Sequence, residues 1–281
     1  MNTEQIEVVR RKLREKQREI WDDLKTVEAG WLHYTSPAGF RKIIETRQIW
    51  CTDIRDVNDP REGDHGQDVV RSVVRRKSVP KEFADKVIRS SDLFGLKRNW
   101  TIYVACFCSA GEQARMWEDY ACQCTGSAIE FNYGALHTGA REGEKYALLP
   151  VLYDRSIQER HVEASVDYAI QLGREMNLPR SDRREFWFSE VAHALMLCAV
   201  RFKDPSWCQE HERRIVVFGG DGVTPFLANG KWRVAVDFDR DAVTRVITGK
   251  HSEANSNTDS IRDVLNRCGY ASDLRISSAT A

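Results

Sequence analysis

Apolar residues recur along this chain at two different spacings, and the spacing separates helices from strands. Over 3–28, Ile6, Val9, Leu13, Ile20, Leu24 and Val27 return at helical intervals with Arg, Lys and Glu between them. That pattern predicts an amphipathic helix, and Ala29-Gly30 ends it because glycine accepts the left-handed backbone of a helix stop. Such a helix either packs on the domain or pairs with a partner, so a homodimer through it is one expectation. The segment 1–29 is therefore set apart from a domain expected over 30–281.

Beyond it, Trp31 to Ser36 reads as a short strand, and Ser36-Pro37 fits an N-cap followed by proline in the first helical turn. Phe40, Ile43 and Ile44 give that helix its apolar face. A second strand over Ile49 to Thr52 runs into the polar turn Asp53 to Pro60, and 63–96 reads as mainly helical around Val69, Val70, Val73 and Val74. Thr101 to Cys108 is a nearly continuous apolar run rich in β-branched residues, which suits a central strand. Gly111 to Gln123 reads as helical, and Ser127 to Tyr133 and Tyr146 to Tyr153 as strands. Two helices are expected over 157–178 and 184–202. Strands follow at Arg213 to Phe218, Trp232 to Phe238 and Val243 to Thr248, then a helix over Ser260 to Cys268 and a short strand over Leu274 to Ser277. Strands interleaved with helices, followed by consecutive strands, predict an α+β domain with a mixed sheet and helical insertions.

Composition narrows the function classes. Lys plus Arg and Asp plus Glu both number 42 among 281 residues, so no global field draws the chain onto nucleic acid or an anionic membrane. No apolar run approaches the roughly 20 residues that span a bilayer. The N-terminus lacks the apolar stretch and small-residue cleavage site of a signal peptide. Eight cysteines without an export signal read as reduced thiols, and a cytoplasmic location is expected.

Four clusters could carry chemistry. His33, Tyr34 and Thr35 lie in a strand that leads into a helix N-terminus, where backbone N–H groups favour anions such as a phosphate; a structural histidine is the plainer alternative. Asn58-Asp59-Pro60 is a turn former that also fits the mouth of a pocket. Cys106, Phe107, Cys108 and Ser109 precede Trp117 and Tyr120, which share a helix face and serve either as core or as a platform for a flat ring. The pairs Cys106/Cys108 and Cys122/Cys124 invite a zinc reading, but structural zinc more often uses wider spacing, and no metal is expected. Finally, Glu210, Glu212 and Arg214 alternate with His211 and Arg213, placing two carboxylates on one side of a strand. Like charges held together separate in pKa, which suits an acid–base or charge-stabilising pair; a solvated edge strand is the alternative. The H-E-x-x-H, Rossmann and P-loop motifs are absent.

In order, His33-Tyr34-Thr35, Ile49-Trp50 with Thr52, Asn58-Asp59-Pro60 with Glu62, the Cys106 strand, Trp117 with Tyr120, Phe202-Lys203 and Glu210 to Arg214 resemble a bacterial family known as domain of unknown function 2971. The resemblance covers 31 to about 218. That family is in turn similar to the ADP-ribosyltransferase superfamily, whose members bind NAD in the cleft of a split, mixed or antiparallel β-sheet. The resemblance implies a NAD-dependent ADP-ribosyltransferase or NAD-cleaving enzyme, a toxin or phage-defence effector, with NAD as substrate and a protein or nucleic acid as acceptor. In that scheme His33 and Thr35 hold the ribose and carboxamide region, and Glu212 is the catalytic glutamate with Glu210 upstream. Tyr34 and Asn58 border the pocket, Ser109 supplies a hydroxyl, Trp117 or Tyr120 stacks nicotinamide, and Arg214, Arg213 or Lys203 holds the pyrophosphate. Two positions depart from the pattern: Tyr34 stands where many members have Gly, and Cys108 where Ser is usual. A non-catalytic nucleotide-sensing or protein-interaction domain is the competing reading. A metal-dependent nuclease using Asp59, Glu62, Glu210 and Glu212 is a third.

Overall fold

In a computed structural model the described residues are 8, 11–12, 15–16, 19, 30–57, 61, 63–79, 81–93, 101–109, 111–132, 134–136, 146–175, 191–220, 222–250 and 254–280. The chain forms two compact units that alternate along the sequence. One comprises 1–26, 57–101 and 150–208; the other comprises 27–56, 102–149 and 209–281.

The first unit is helical. Its helices are α2 (Asp64–Arg76), α3 (Lys81–Ser90), α5 (Arg155–Glu175) and α6 (Ala192–Arg201). The mainly helical stretch expected over 63–96 contains two helices, divided where Ser78-Val79-Pro80 interrupts the pattern. Val69, Val70, Val73 and Val74 form the buried face of α2, as their spacing predicts. Gly66 lets α2 meet α6 closely: a Cβ there would come within 2.0 Å of the Ala199 carbonyl oxygen. In the N-terminal segment Val8, Arg11, Lys12, Glu15, Lys16 and Glu19 are helical; the rest of it lies outside the described residues.

The second unit is built on a sheet: β1 (Trp31–Thr35), β2 (Gln48–Asp53), β3 (Ile102–Cys108), β4 (Ser127–Phe131), β5 (Tyr146–Pro150, whose last residue belongs to the helical unit), β6 (Glu212–Phe218), β7 (Phe226–Ala228), β8 (Lys231–Asp237), β9 (Val243–Thr248) and β10 (Arg275–Ser278). Helices α1 (Pro37–Thr46), α4 (Ala114–Tyr120) and α7 (Ala254–Arg267) complete it. The α+β expectation holds, with a mixed sheet that is antiparallel apart from β9–β10 among the registered pairs.

Local signals in the sequence position several of these elements. Ser36 caps α1 by accepting a 3.0 Å hydrogen bond from the Gly39 N–H, with Pro37 in the first turn. Phe40, Ile43 and Ile44 are its buried residues, as predicted. Strand β7, which the periodicity did not reveal, pairs with β8 across Asn229-Gly230. Both of those residues have positive φ, 52° and 73°, as a two-residue hairpin turn requires.

The sheet forks at β3. Strand β6 runs along one whole edge of it, from Ile102↔Phe218 to Cys108↔Glu212. The opposite edge is shared, with β2 at Tyr103 and Val104 and β1 at Cys108. Opposed residues in an antiparallel pair point to the same side, so these registers fix which side chains share a face. One face carries Leu32, Tyr34, Cys106, Cys108, Glu212 and Arg214. The other carries Trp31, His33, Tyr103, Phe107, Ile215 and Val217, and belongs to the large core with Phe40, Ile44 and Leu265. No helix among the described residues is long and apolar enough to cross a membrane. None of the eight cysteines forms a disulfide.

Candidate functional site

The carboxylates at the start of β6 lie on the same side of the sheet as α4. Glu210 ends a 3₁₀ turn over Pro205–Glu210, and the strand begins at Glu212, later than simple alternation implies. His211 between them has φ 44° and is exposed, while Glu210 and Glu212 are buried. This left-handed residue turns both carboxylates inward. Tyr120, from α4, donates a 3.0 Å hydrogen bond to Glu210 Oε1. Arg214 holds Glu212 with both arms of its guanidinium, Nε to Oε1 at 2.6 Å and Nη2 to Oε2 at 3.2 Å. Arg214 is 1% exposed and Glu212 4%, so the pair is compensated away from water and its geometry is bidentate. The register places the exposed Cys106 directly opposite Arg214, on the same face.

Above this face, α4 packs Met116 and Trp117 against Leu32, Tyr34, Cys108, Ala128 and Ile247. Trp117 is fully buried and stands edge-on to Tyr34, with ring centroids 5.0 Å apart at 88°. Its surroundings are those of a core residue, and its indole Nε1 has no hydrogen-bond partner among the described residues. Tyr34 is a strut for the segment leading into α4. Its hydroxyl donates to the Gly111 carbonyl at 3.5 Å and accepts the Gln113 N–H at 3.3 Å. Burial raises the Tyr34 pKa, so the phenol stays protonated near neutral pH.

His33 lies on the other face. Its Nδ1 is 3.0 Å from the Cys106 carbonyl, at the fork between the stretches of β3 that pair with β1 and β2. A carbonyl only accepts, so Nδ1 carries the proton. The half-buried ring packs 5.4 Å from Phe107, and desolvation lowers its pKa while the Cys106 carbonyl opposes that shift. Ser109 is tied to His211, its N–H and Oγ reaching the His211 carbonyl at 3.1 and 2.9 Å. Arg213, paired with Phe107 on the core side, donates from Nε to Ser109 Oγ at 3.3 Å.

The residues expected in one site therefore divide. Tyr34, Trp117, Tyr120, Glu210, Glu212 and Arg214 come together on the α4 side. His33 and Thr35 project from the opposite side of β1, so they do not share a face with Glu212. Arg214, expected on a pyrophosphate, is instead the partner of Glu212. Lys203 belongs to the helical unit, where its Nζ sits 5.0 Å from the Trp207 ring centroid. Asn58, Asp59 and Glu62 lie outside the described residues. No group of three His, Cys, Asp or Glu side chains among the described residues could hold a metal ion. Two contributors were not anticipated: the left-handed His211, which has no local sequence signal, and the Gly111 carbonyl under Tyr34.

Residues 116–215 match the model of a family described as a protein of unknown function, DUF2971. The matched stretch begins in α4 and ends in β6, so it contains Trp117, Tyr120, Glu210, Glu212 and Arg214 and excludes the His33 strand. No curated protein and no solved structure matches the chain.

Proposed function

We propose that the protein cleaves the nicotinamide–ribose bond of NAD at the Glu210–Glu212 end of β6, as an ADP-ribosyltransferase or NAD glycohydrolase of the toxin or phage-defence kind. The observation that carries this reading is the pair of buried carboxylates, each oriented by a separate partner, Tyr120 for Glu210 and Arg214 for Glu212. Breaking a C–N glycosidic bond builds positive charge on the ribose, and a carboxylate held beside it stabilises that charge. Glu212 takes this role, and Arg214 holds it in place. Glu210, anchored by the Tyr120 hydroxyl, accepts the proton of the attacking water or acceptor group. Nicotinamide departs with the bonding electron pair. The matched family stretch spans both carboxylates and both of their partners, which favours this face over the His33 face.

Incubation of the protein with NAD labelled in the ADP-ribose moiety, alone and with cell lysate, tests the proposal. Free nicotinamide without labelled macromolecule identifies a glycohydrolase; label on protein or nucleic acid identifies a transferase. Glu212→Gln is expected to abolish turnover, and absence of turnover by the wild-type protein with any acceptor overturns the reading.

A second reading is favoured by one observation: both oxygens of Glu212 are already engaged by Arg214. A carboxylate so occupied also suits a non-catalytic nucleotide-sensing or protein-interaction domain. That reading expects no turnover and a nucleotide affinity that Glu212→Gln leaves within a factor of two.

A further inference from the structure

An unassigned pair of cations in the sheet unit lies around Trp50, on strands that the proposed carboxylate site does not use. The Lys42 Nζ lies 5.7 Å from the Trp50 ring centroid and the Arg233 guanidinium carbon 5.5 Å from it. Phe226 meets the same indole edge-on, centroids 5.1 Å apart at 73°. Cation–π contact accounts for one cation beside an indole; two on one ring repel each other. Among the described residues Arg233 Nε is buried without a hydrogen-bond partner, and burial lowers the pKa of the guanidinium. Asp237, further along β8 on that face, accepts a 2.9 Å hydrogen bond from the Gln48 side-chain amide. The register sets Thr52 opposite Arg233, so its hydroxyl shares their side of the sheet.

We propose that Lys42, Arg233 and Thr52, gathered around Trp50, form an oxyanion site that takes a phosphate group. A phosphate oxygen satisfies the buried Arg233 Nε, a second receives the Lys42 ammonium, and the group's charge removes the repulsion between the two cations. The Trp50–Phe226 pair forms an apolar wall on one side of the site. Free inorganic phosphate and the 5′-phosphate of a nucleotide present the same chemistry. The site is independent of the NAD reading, because none of its residues takes part there.

Calorimetric titration of the whole protein with inorganic phosphate, and separately with AMP, at constant ionic strength balanced by chloride, tests it. Saturable one-to-one binding is expected, weakened tenfold or more by Arg233→Gln and by Lys42→Met. Lys42 is exposed on α1, and methionine keeps its apolar stem, so the second variant folds even if the first does not. Tighter binding of AMP than of phosphate, lost in both variants, identifies a nucleotide as the source of the phosphate. Equal affinities identify the free anion. No saturable binding of either probe, or an affinity that Lys42→Met leaves unchanged, overturns the proposal.

Discussion

On the core side of the forked sheet, Phe107 is surrounded by rings, with Trp31, His33 and Phe131 at centroid distances of 5.5, 5.4 and 5.8 Å. On the α4 side, one residue further along β3, Cys108 lies across from Glu212, and the buried surface there includes an ion pair and a tyrosine–carboxylate bond. The first face is held by apolar area, which is non-directional and tolerant of small shifts. The second adds to its apolar packing buried charged groups whose stability depends on every partner being present. A face of that second kind costs stability to build, and for this reason the candidate chemistry is placed there.

Removing one partner on each face separates the two modes most strongly. Arg214→Met leaves Glu212 buried without its counter-charge and is expected to cost about 3–5 kcal/mol in urea unfolding. Phe107→Ala empties the aromatic cluster and is expected to cost a similar amount, about 3–5 kcal/mol. The rescue differs between them. Adding Glu212→Leu to Arg214→Met recovers most of the loss, since a well-packed apolar pair replaces a buried ion pair at little cost. No second substitution across the sheet recovers Phe107→Ala. If the double variant were no more stable than Arg214→Met, Glu212 and Arg214 would not be acting as a pair, and the contrast between the faces would fail.

A smaller effect tests whether Tyr34 belongs to the α4 face as a strut. Tyr34→Phe removes the hydroxyl that joins the Gly111 carbonyl to the Gln113 N–H and keeps the ring against Trp117. The expected cost is about 1 kcal/mol, read by thermal or urea unfolding. Hydrogen exchange at the N-terminus of α4 is expected to rise in the same variant. An unchanged exchange rate there would remove Tyr34 from the support of the site.

The division between faces also marks how far the sequence could be read. Alternation in β1 correctly separated Tyr34 from His33 and Thr35, because that depends on local pleat alone. Placing His33 beside Glu212 required knowing which face each strand offers to the sheet. That follows from the pairings Leu32↔Cys108 and Cys108↔Glu212, made by residues far apart in the chain, and a shift of one residue in either would reverse it. Alternation places Glu210 and Glu212 on one side; they do face the same side, but through the left-handed His211 and not through a continuous strand. Asn229-Gly230 is a hairpin signal that local chemistry explains fully, and three residues of β7 were too short for periodicity to show. The N-cap at Ser36 was legible because it rests on neighbours in sequence.

The smallest expected effect sharpens the comparison on the core side. His33 has a lowered pKa in the folded protein, because packing against Phe107 at the fork removes water from the charged form. The unfolded state therefore binds a proton more readily than the folded one. The stability due to neutral His33 is fully present above the ordinary histidine pKa, and it is lost as pH falls toward the lowered folded value. Unfolding free energy measured across that acidic window is expected to rise with pH, and His33→Gln, whose amide N–H still reaches the Cys106 carbonyl, is expected to flatten part of the slope. The Glu212→Gln variant, altered on the opposite face, is expected to keep the His33 part of the slope. An unchanged slope in His33→Gln would mean that the ring is as well hydrated in the folded chain as in the unfolded one, and the fork would then be a wet gap in the sheet instead of an edge of its core.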